Sequence, residues 1–87
     1  MFIVEFEKDA EKLFLKFDKQ TQRDILKYFK NENLLKNPKK LGKPLLFQKK
    51  GLWRYRIGDY RVICKIQDTE LLILVIDIGH RSNVYDD

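Results

Sequence analysis

Cysteine, proline, glycine and histidine are all scarce in this chain: one, two, four and one among 87 residues. The lone Cys64 excludes an intramolecular disulfide and every CxxC metal pattern. It lies inside an apolar stretch, so a buried, inert thiol is expected. Long apolar runs are missing as well, and the longest, Leu71 to Ile76, is far too short to span a bilayer. The opening Met1 to Glu7 has neither a basic n-region nor a long apolar h-region. No signal peptide and no membrane association are therefore expected, and the cytoplasm is the expected location. Neither a metal site nor a cofactor is expected. With no repeat, linker or low-complexity tract, the chain reads as a single domain over residues 1–87, able to fold without staples.

Negative charge is scarce in one part of the chain. From Lys36 to Lys65 there are ten Lys or Arg against the single acid Asp59, while the first 35 residues are nearly balanced, and the whole carries a net charge of +5. A one-sided basic segment favours a polyanionic partner such as a nucleic acid. Lys39, Lys40, Lys43, Lys49 and Lys50, in a loop read from Pro38 to Gly51, are the candidates for nucleic-acid contacts.

The densest signal is Leu52 to Arg61. Trp53, Tyr55 and Ile57 fall on one side of an extended strand and Arg54 and Arg56 on the other. Gly58-Asp59 is a two-residue turn signal of the Gly-X kind. A loop of that length pairs Ile57 with Tyr60 and sets Arg56 across from Arg61, with Arg54 one diagonal step away. Like charges facing across a ladder are unfavourable, and no acid sits among them on that face of the hairpin. Three guanidinium groups kept together against local electrostatics imply a bound anion, phosphate first among the choices.

Around the hairpin, Phe2, Val4 and Phe6 alternate with Ile3, Glu5 and Glu7 as a first strand. Ala10, Leu13, Phe14 and Phe17 then form a helical stripe, beginning at Asp9 or a neighbour. Asp18, with Thr21 as a rival, caps a second helix whose stripe is Ile25, Leu26 and Phe29, ended by Asn33 and Asn37-Pro38. Leu71 to Ile76 is apolar on both faces and belongs in the middle of a sheet. The expected fold is α+β in the order β-α-α-β-β-β, with two N-terminal helices on one face of a mostly antiparallel sheet.

If the last strand lies beside the hairpin, its end delivers His80 and Arg81 next to Tyr60 and Arg61, with Tyr85 a few residues on. Arginine cannot act as a base, but it can hold a phosphate and offset the extra charge of a phosphorane-like transition state. His80 can give or take a proton near neutral pH, and Tyr85 can donate one or stack on a base. RNA carries its own nucleophile, the 2′-hydroxyl, so strand cleavage needs alignment and charge but no metal.

Trp53-Arg54-Tyr55-Arg56, Gly58-Asp59-Tyr60-Arg61-Val62 and Gly79-His80-Arg81-Ser82-Asn83-Val84-Tyr85 together resemble the RelE branch of the RelE/ParE toxin superfamily. Phe6, Ala10 and Phe14 in the opening helix and the segment from Asn37-Pro38 to Gly42-Lys43-Pro44-Leu45 agree. The resemblance implies a microbial-ribonuclease-like sheet. It implies a ribosome-dependent endoribonuclease that cuts mRNA in the decoding site and is held by a cognate antitoxin. It also implies catalytic roles for Arg54, Arg56, Arg61, Arg81 and Tyr85. The best-known member has lysines where this chain has Arg54 and Arg56, so a base must come from elsewhere, and His80 is the candidate. A DNA gyrase inhibitor of the ParE branch, without nuclease chemistry, is the alternative on the same fold. A purely regulatory member, inert as a toxin, is a third.

Overall fold

The computed structural model describes residues 1–45 and 51–80. Nine elements follow one another among them: β1 (Ile3–Phe6), α1 (Lys8–Lys16), α2 (Lys19–Tyr28), α3 (Glu32–Lys36), α4 (Pro38–Leu41), β2 (Lys43–Pro44), β3 (Leu52–Ile57), β4 (Tyr60–Gln67) and β5 (Leu72–His80). The strands form one sheet in the order β1-β5-β4-β3-β2. Only β1 and β5 run parallel, and every other pair is antiparallel. This is the expected α+β arrangement, with β5 inside the sheet as its two apolar faces require.

The helices cover one face. Ala10 and Phe14 of α1, Ile25 and Phe29 near α2 and Leu34 of α3 pack on Tyr55, Ile57, Val62, Cys64, Ile73, Val75 and Ile78 of the sheet. Burial pushes the Cys64 thiol well above its ordinary range, so it stays protonated as expected. On the opposite face a smaller cluster joins Leu45, Leu52, Ile63 and Ile76. Between these two clusters β3 and β4 alternate, so the even positions of β3 and the odd positions of β4 face away from the helices.

Local chemistry sets the helix boundaries. Asp18 caps α2 by accepting a hydrogen bond of 2.9 Å from the Thr21 amide. Hydrogen bonding from Thr21, by its side chain first and its amide second, holds the Asp18 carboxyl below its ordinary range. The second helix ends sooner than its stripe implies. It stops at Tyr28, and Asn31 starts α3 by accepting from the amides of Asn33 and Leu34. Pro38 then sits at the start of α4, where its missing N–H costs nothing. The segment read as one basic loop is thus partly ordered: a helical turn, the short strand β2, and Leu45 buried against the sheet. Leu13 and Leu26, placed on the apolar stripes by spacing, are exposed.

Two backbone features shape the functional face. Gly58 closes the β3–β4 hairpin at φ +58 while Asp59 keeps negative φ, the Gly-X turn expected. On β5 the register slips: Ile63 pairs with Asp77 but Cys64 with Val75, leaving Ile76 as the extra residue of a bulge.

Candidate nucleic-acid interface

The Gly58-Asp59 turn fixes the pairing that brings the arginines together. Ile57 pairs with Tyr60, and Arg56 lies directly across from Arg61. Lys43 of β2 pairs with Arg54 on the other side of β3. Lys43, Arg54, Arg56 and Arg61 therefore line one hollow of about 180 Å³, together with Tyr28 and Leu41. β2 pairs with β3 only at Trp53 and Arg54, so the rest of that edge is open to Tyr28 of α2 and Leu41 of α4.

The four cations are not equivalent. Arg61 is only 7% exposed and forms the floor, whereas Arg56 and Lys43 are exposed and Arg54 is half-buried. Across β4, Arg61 faces Gly79, so no side chain crowds it from β5. None of the described lining residues is acidic. The acids nearest by position are Asp59 in the turn, two residues before Arg61, and Asp77, which pairs with Ile63 two residues after it. Such a site favours an anion, and guanidinium forks match the oxygen geometry of a phosphodiester.

Tyr28 is the residue that sequence patterning missed at this site. It stands one residue before Phe29, beside the α2 stripe. Its ring does meet Phe29 edge-on at 5.6 Å and Tyr55 at 5.9 Å, which fixes its position. Tyr55 is anchored in turn, its hydroxyl donating to the Pro38 carbonyl at 2.7 Å. Burial raises the Tyr28 phenol above its ordinary range, so it keeps its proton and can donate to an anion. A tyrosine beside a stripe carries no sequence mark of which way it will face.

The structure does not bring His80 to the arginines. His80 pairs with Tyr60, and the two rings meet edge-on at 5.8 Å. Tyr60 packs on Phe17 at the end of α1, so this pair belongs to the helix side of the sheet. The bulge at Ile76 is the cause. Continuing the period-two alternation of Ile73 and Val75 would put position 80 on the open face, and the extra residue turns it to the other.

The basic loop divides. Lys43 joins the hollow. Lys39 turns away into an ion pair with Asp68, 2.7 Å long and exposed. Lys40 borders a separate cleft with Lys36. Lys49, Lys50, Arg81 and Tyr85 lie outside the described residues.

A second concavity lies on the helix side, between β1 and α2–α3. It has a volume of about 340 Å³ and is lined by Phe2, Ile3, Val4, Phe6, Leu26, Phe29 and Leu35, with Lys30 the one charged residue among its described lining. Among the described residues no helix is long and apolar enough to cross a membrane.

Comparison with known proteins places this geometry. Residues 4–85 match the model of the family described as the ParE toxin of the type II toxin–antitoxin system parDE. A stretch of 52 residues is 46% identical to Toxin RelE of Mycobacterium tuberculosis, covering 60% of this chain and 54% of that protein. The match thus spans about half the length of that relative. Among solved structures, the RelBE2 toxin–antitoxin complex of the same organism superposes with a TM-score of 0.82 at 24% identity, over 92% of this chain and 98% of that one. The isolated E. coli RelE toxin superposes with a TM-score of 0.73 at 19% identity, over 92% and 84%.

Proposed function

The chain belongs to the ParE toxin family of type II toxin–antitoxin systems, and from that premise we propose that it is a ribosome-dependent endoribonuclease that cuts mRNA. Its fold is that of the RelE toxins. The observation that carries the reading is the hollow, with Lys43, Arg54, Arg56 and Arg61 in its lining and no acid among its described residues. A gyrase inhibitor needs a docking surface; it does not need like charges gathered around one small concavity.

In this reading the scissile phosphate sits over Arg61, between Arg54 and Arg56. The 2′-hydroxyl gives its proton to solvent water as it attacks the phosphorus, the 5′ oxygen leaves with a proton supplied to it, and a cyclic 2′,3′-phosphate results. Charge on the non-bridging oxygens grows on the way to the pentavalent state, and guanidinium groups already in place offset it without reorganising. The Tyr28 hydroxyl adds a neutral donor. Lys43 supplies what arginine cannot, an ammonium able to pass a proton to the departing oxygen. It reaches the hollow from β2, across the ladder from Arg54. Arg81 and Tyr85 keep the catalytic roles that the family motif implies. His80, on the helix side, is left with a structural role against Tyr60.

The partner is an antitoxin, as in the similar RelBE2 complex. The apolar concavity beside β1, with Lys30 at its border and Arg23 and Lys27 near Leu26, fits an amphipathic segment with an acidic face.

The test is cleavage of ribosome-bound mRNA by the purified chain. Arg61→Ala should lower the rate about tenfold or more, the loss of one charge-assisted contact in the transition state. Cleavage by the variant at the parent rate would overturn the assignment. Failure of the parent to cut, with accumulation of gyrase–DNA cleavage complexes instead, would move the chain to the gyrase-directed reading.

A further inference from the structure

Beside the arginine hollow lies a second basic concavity, of about 440 Å³, lined by Asn33, Lys36, Asn37, Lys40 and Leu41. Leu41 lines both. The two therefore form one track, from Arg61 and Arg56 past Lys43, over Leu41, to Lys40 and Lys36. The five residues of the second cleft are all exposed, and none is acidic. The track exists because of local chain chemistry. Asn31 caps α3 and Pro38 opens α4, so two short helices succeed each other without a loop, and Lys36 and Lys40 both border the cleft between them. Lys39, between them in sequence, is drawn to Asp68 and leaves the track.

We propose that the cleft between α3 and α4 is a second subsite for the same single RNA strand, holding the nucleotides that flank the scissile phosphate. The proposal rests on the nuclease reading of the arginine hollow and adds to it. Lys36 and Lys40 hold phosphates. Asn33 and Asn37 present amides that can both donate to and accept from a base edge. Leu41, an exposed apolar side chain at the crest, packs on a sugar or base as the strand crosses from one hollow to the other. An acidic peptide would also be drawn to the lysines and could pair with the amides, but continuity with the arginine hollow favours a strand whose phosphates run through both.

Two oligonucleotides test this, both 2′-O-methylated so that the nucleophile is blocked: a dinucleotide with one phosphodiester, and a hexanucleotide. NMR titration of the parent chain should show the hexanucleotide binding more tightly. Lys36→Ala with Lys40→Ala should weaken the hexanucleotide about tenfold and leave the dinucleotide unchanged. The double variant should also reduce the slope of log affinity against log salt by about 1.4, two single-strand phosphate contacts. Both lysines are exposed, so an unchanged thermal transition is expected and serves as the control.

Equal affinities for the two lengths, or a hexanucleotide that binds parent and double variant alike, overturn the subsite. They leave the nuclease reading standing if the parent still cuts ribosome-bound mRNA. A parent that neither cuts nor binds either oligonucleotide removes both. A double variant that loses affinity for an acidic peptide while keeping the hexanucleotide assigns the cleft to a protein and overturns the RNA subsite.

Discussion

Leu71, in the turn between β4 and β5, is the only non-glycine residue with positive φ among those described, at φ 52. Its amide donates to the Asp68 carbonyl and its own carbonyl accepts from Ile3, so the conformation is held from both sides. A left-handed backbone costs an L-residue about 1–2 kcal/mol, and the Leu71 side chain, 46% exposed, recovers little of it. Leu71→Gly should therefore stabilise the fold by about 0.5–1 kcal/mol in urea unfolding, the relief of strain exceeding the entropy that glycine adds to the unfolded chain. A lower midpoint for the variant would show that the turn carries no such strain. At this scale legibility was uneven. Arg56 opposite Arg61 was readable, because a two-residue turn leaves no choice of register. Asp18 as a cap was readable from residue type alone. The positions of Tyr28 and Lys43 were not. A tyrosine next to a stripe can face either way, and a strand of two residues has no period to detect.

Among the elements, the junction between α4 and β2 has the least tolerance. A Cβ on Gly42 would lie 2.8 Å from two atoms of the Tyr55 ring and 3.2 Å from the Arg54 carbonyl. Tyr55 cannot yield freely, since its hydroxyl is bound to Pro38 and its ring is packed by Tyr28 and Phe29. Gly42→Ala should cost about 1–3 kcal/mol, the usual price of overpacking, read as a lowered thermal midpoint. It should also weaken RNA binding, because β2 carries Lys43 into the hollow. An unchanged midpoint would mean that the approach of α4 to β3 is looser than the geometry shows. The bulge on β5 marks where reading by elements failed. Leu71 to Ile76 is apolar on both faces, which correctly sets β5 inside the sheet. The same uniformity hides the extra residue at Ile76, because the first polar position, Asp77, comes only after the change of parity. His80 consequently lies on the helix side. The segment before β3 failed differently: Asn33 and Asn37-Pro38 read as the end of the second helix, yet Asn33 lies inside α3 and Pro38 opens α4.

For the molecule as a whole, unfolding releases groups that burial keeps protonated. Cys64 and Tyr55 are both pushed far up by desolvation. In the unfolded chain the thiol ionises near pH ~8.5 and the phenol near ~10. Above those values the folded state holds more protons than the unfolded one, so stability is full below about pH 8 and falls as the pH rises further. Urea midpoints measured from pH 7 to 10.5 should decline, and Cys64→Val should flatten the first part of the decline. A midpoint independent of pH across this range would contradict the burial of both groups.

The parallel pairing of β1 with β5 sets the two ends of the described fold side by side, Ile3 against Leu72 and Phe6 against Val75. β5 is also the partner of β4 over most of its length. A nascent chain that has not yet reached residue 72 can close the hairpin and wind its helices, but it has no strand on which to lay its first one. The arginine-bearing hairpin therefore gains its place in the full sheet only once residues 72–80 are available to join β4 to β1.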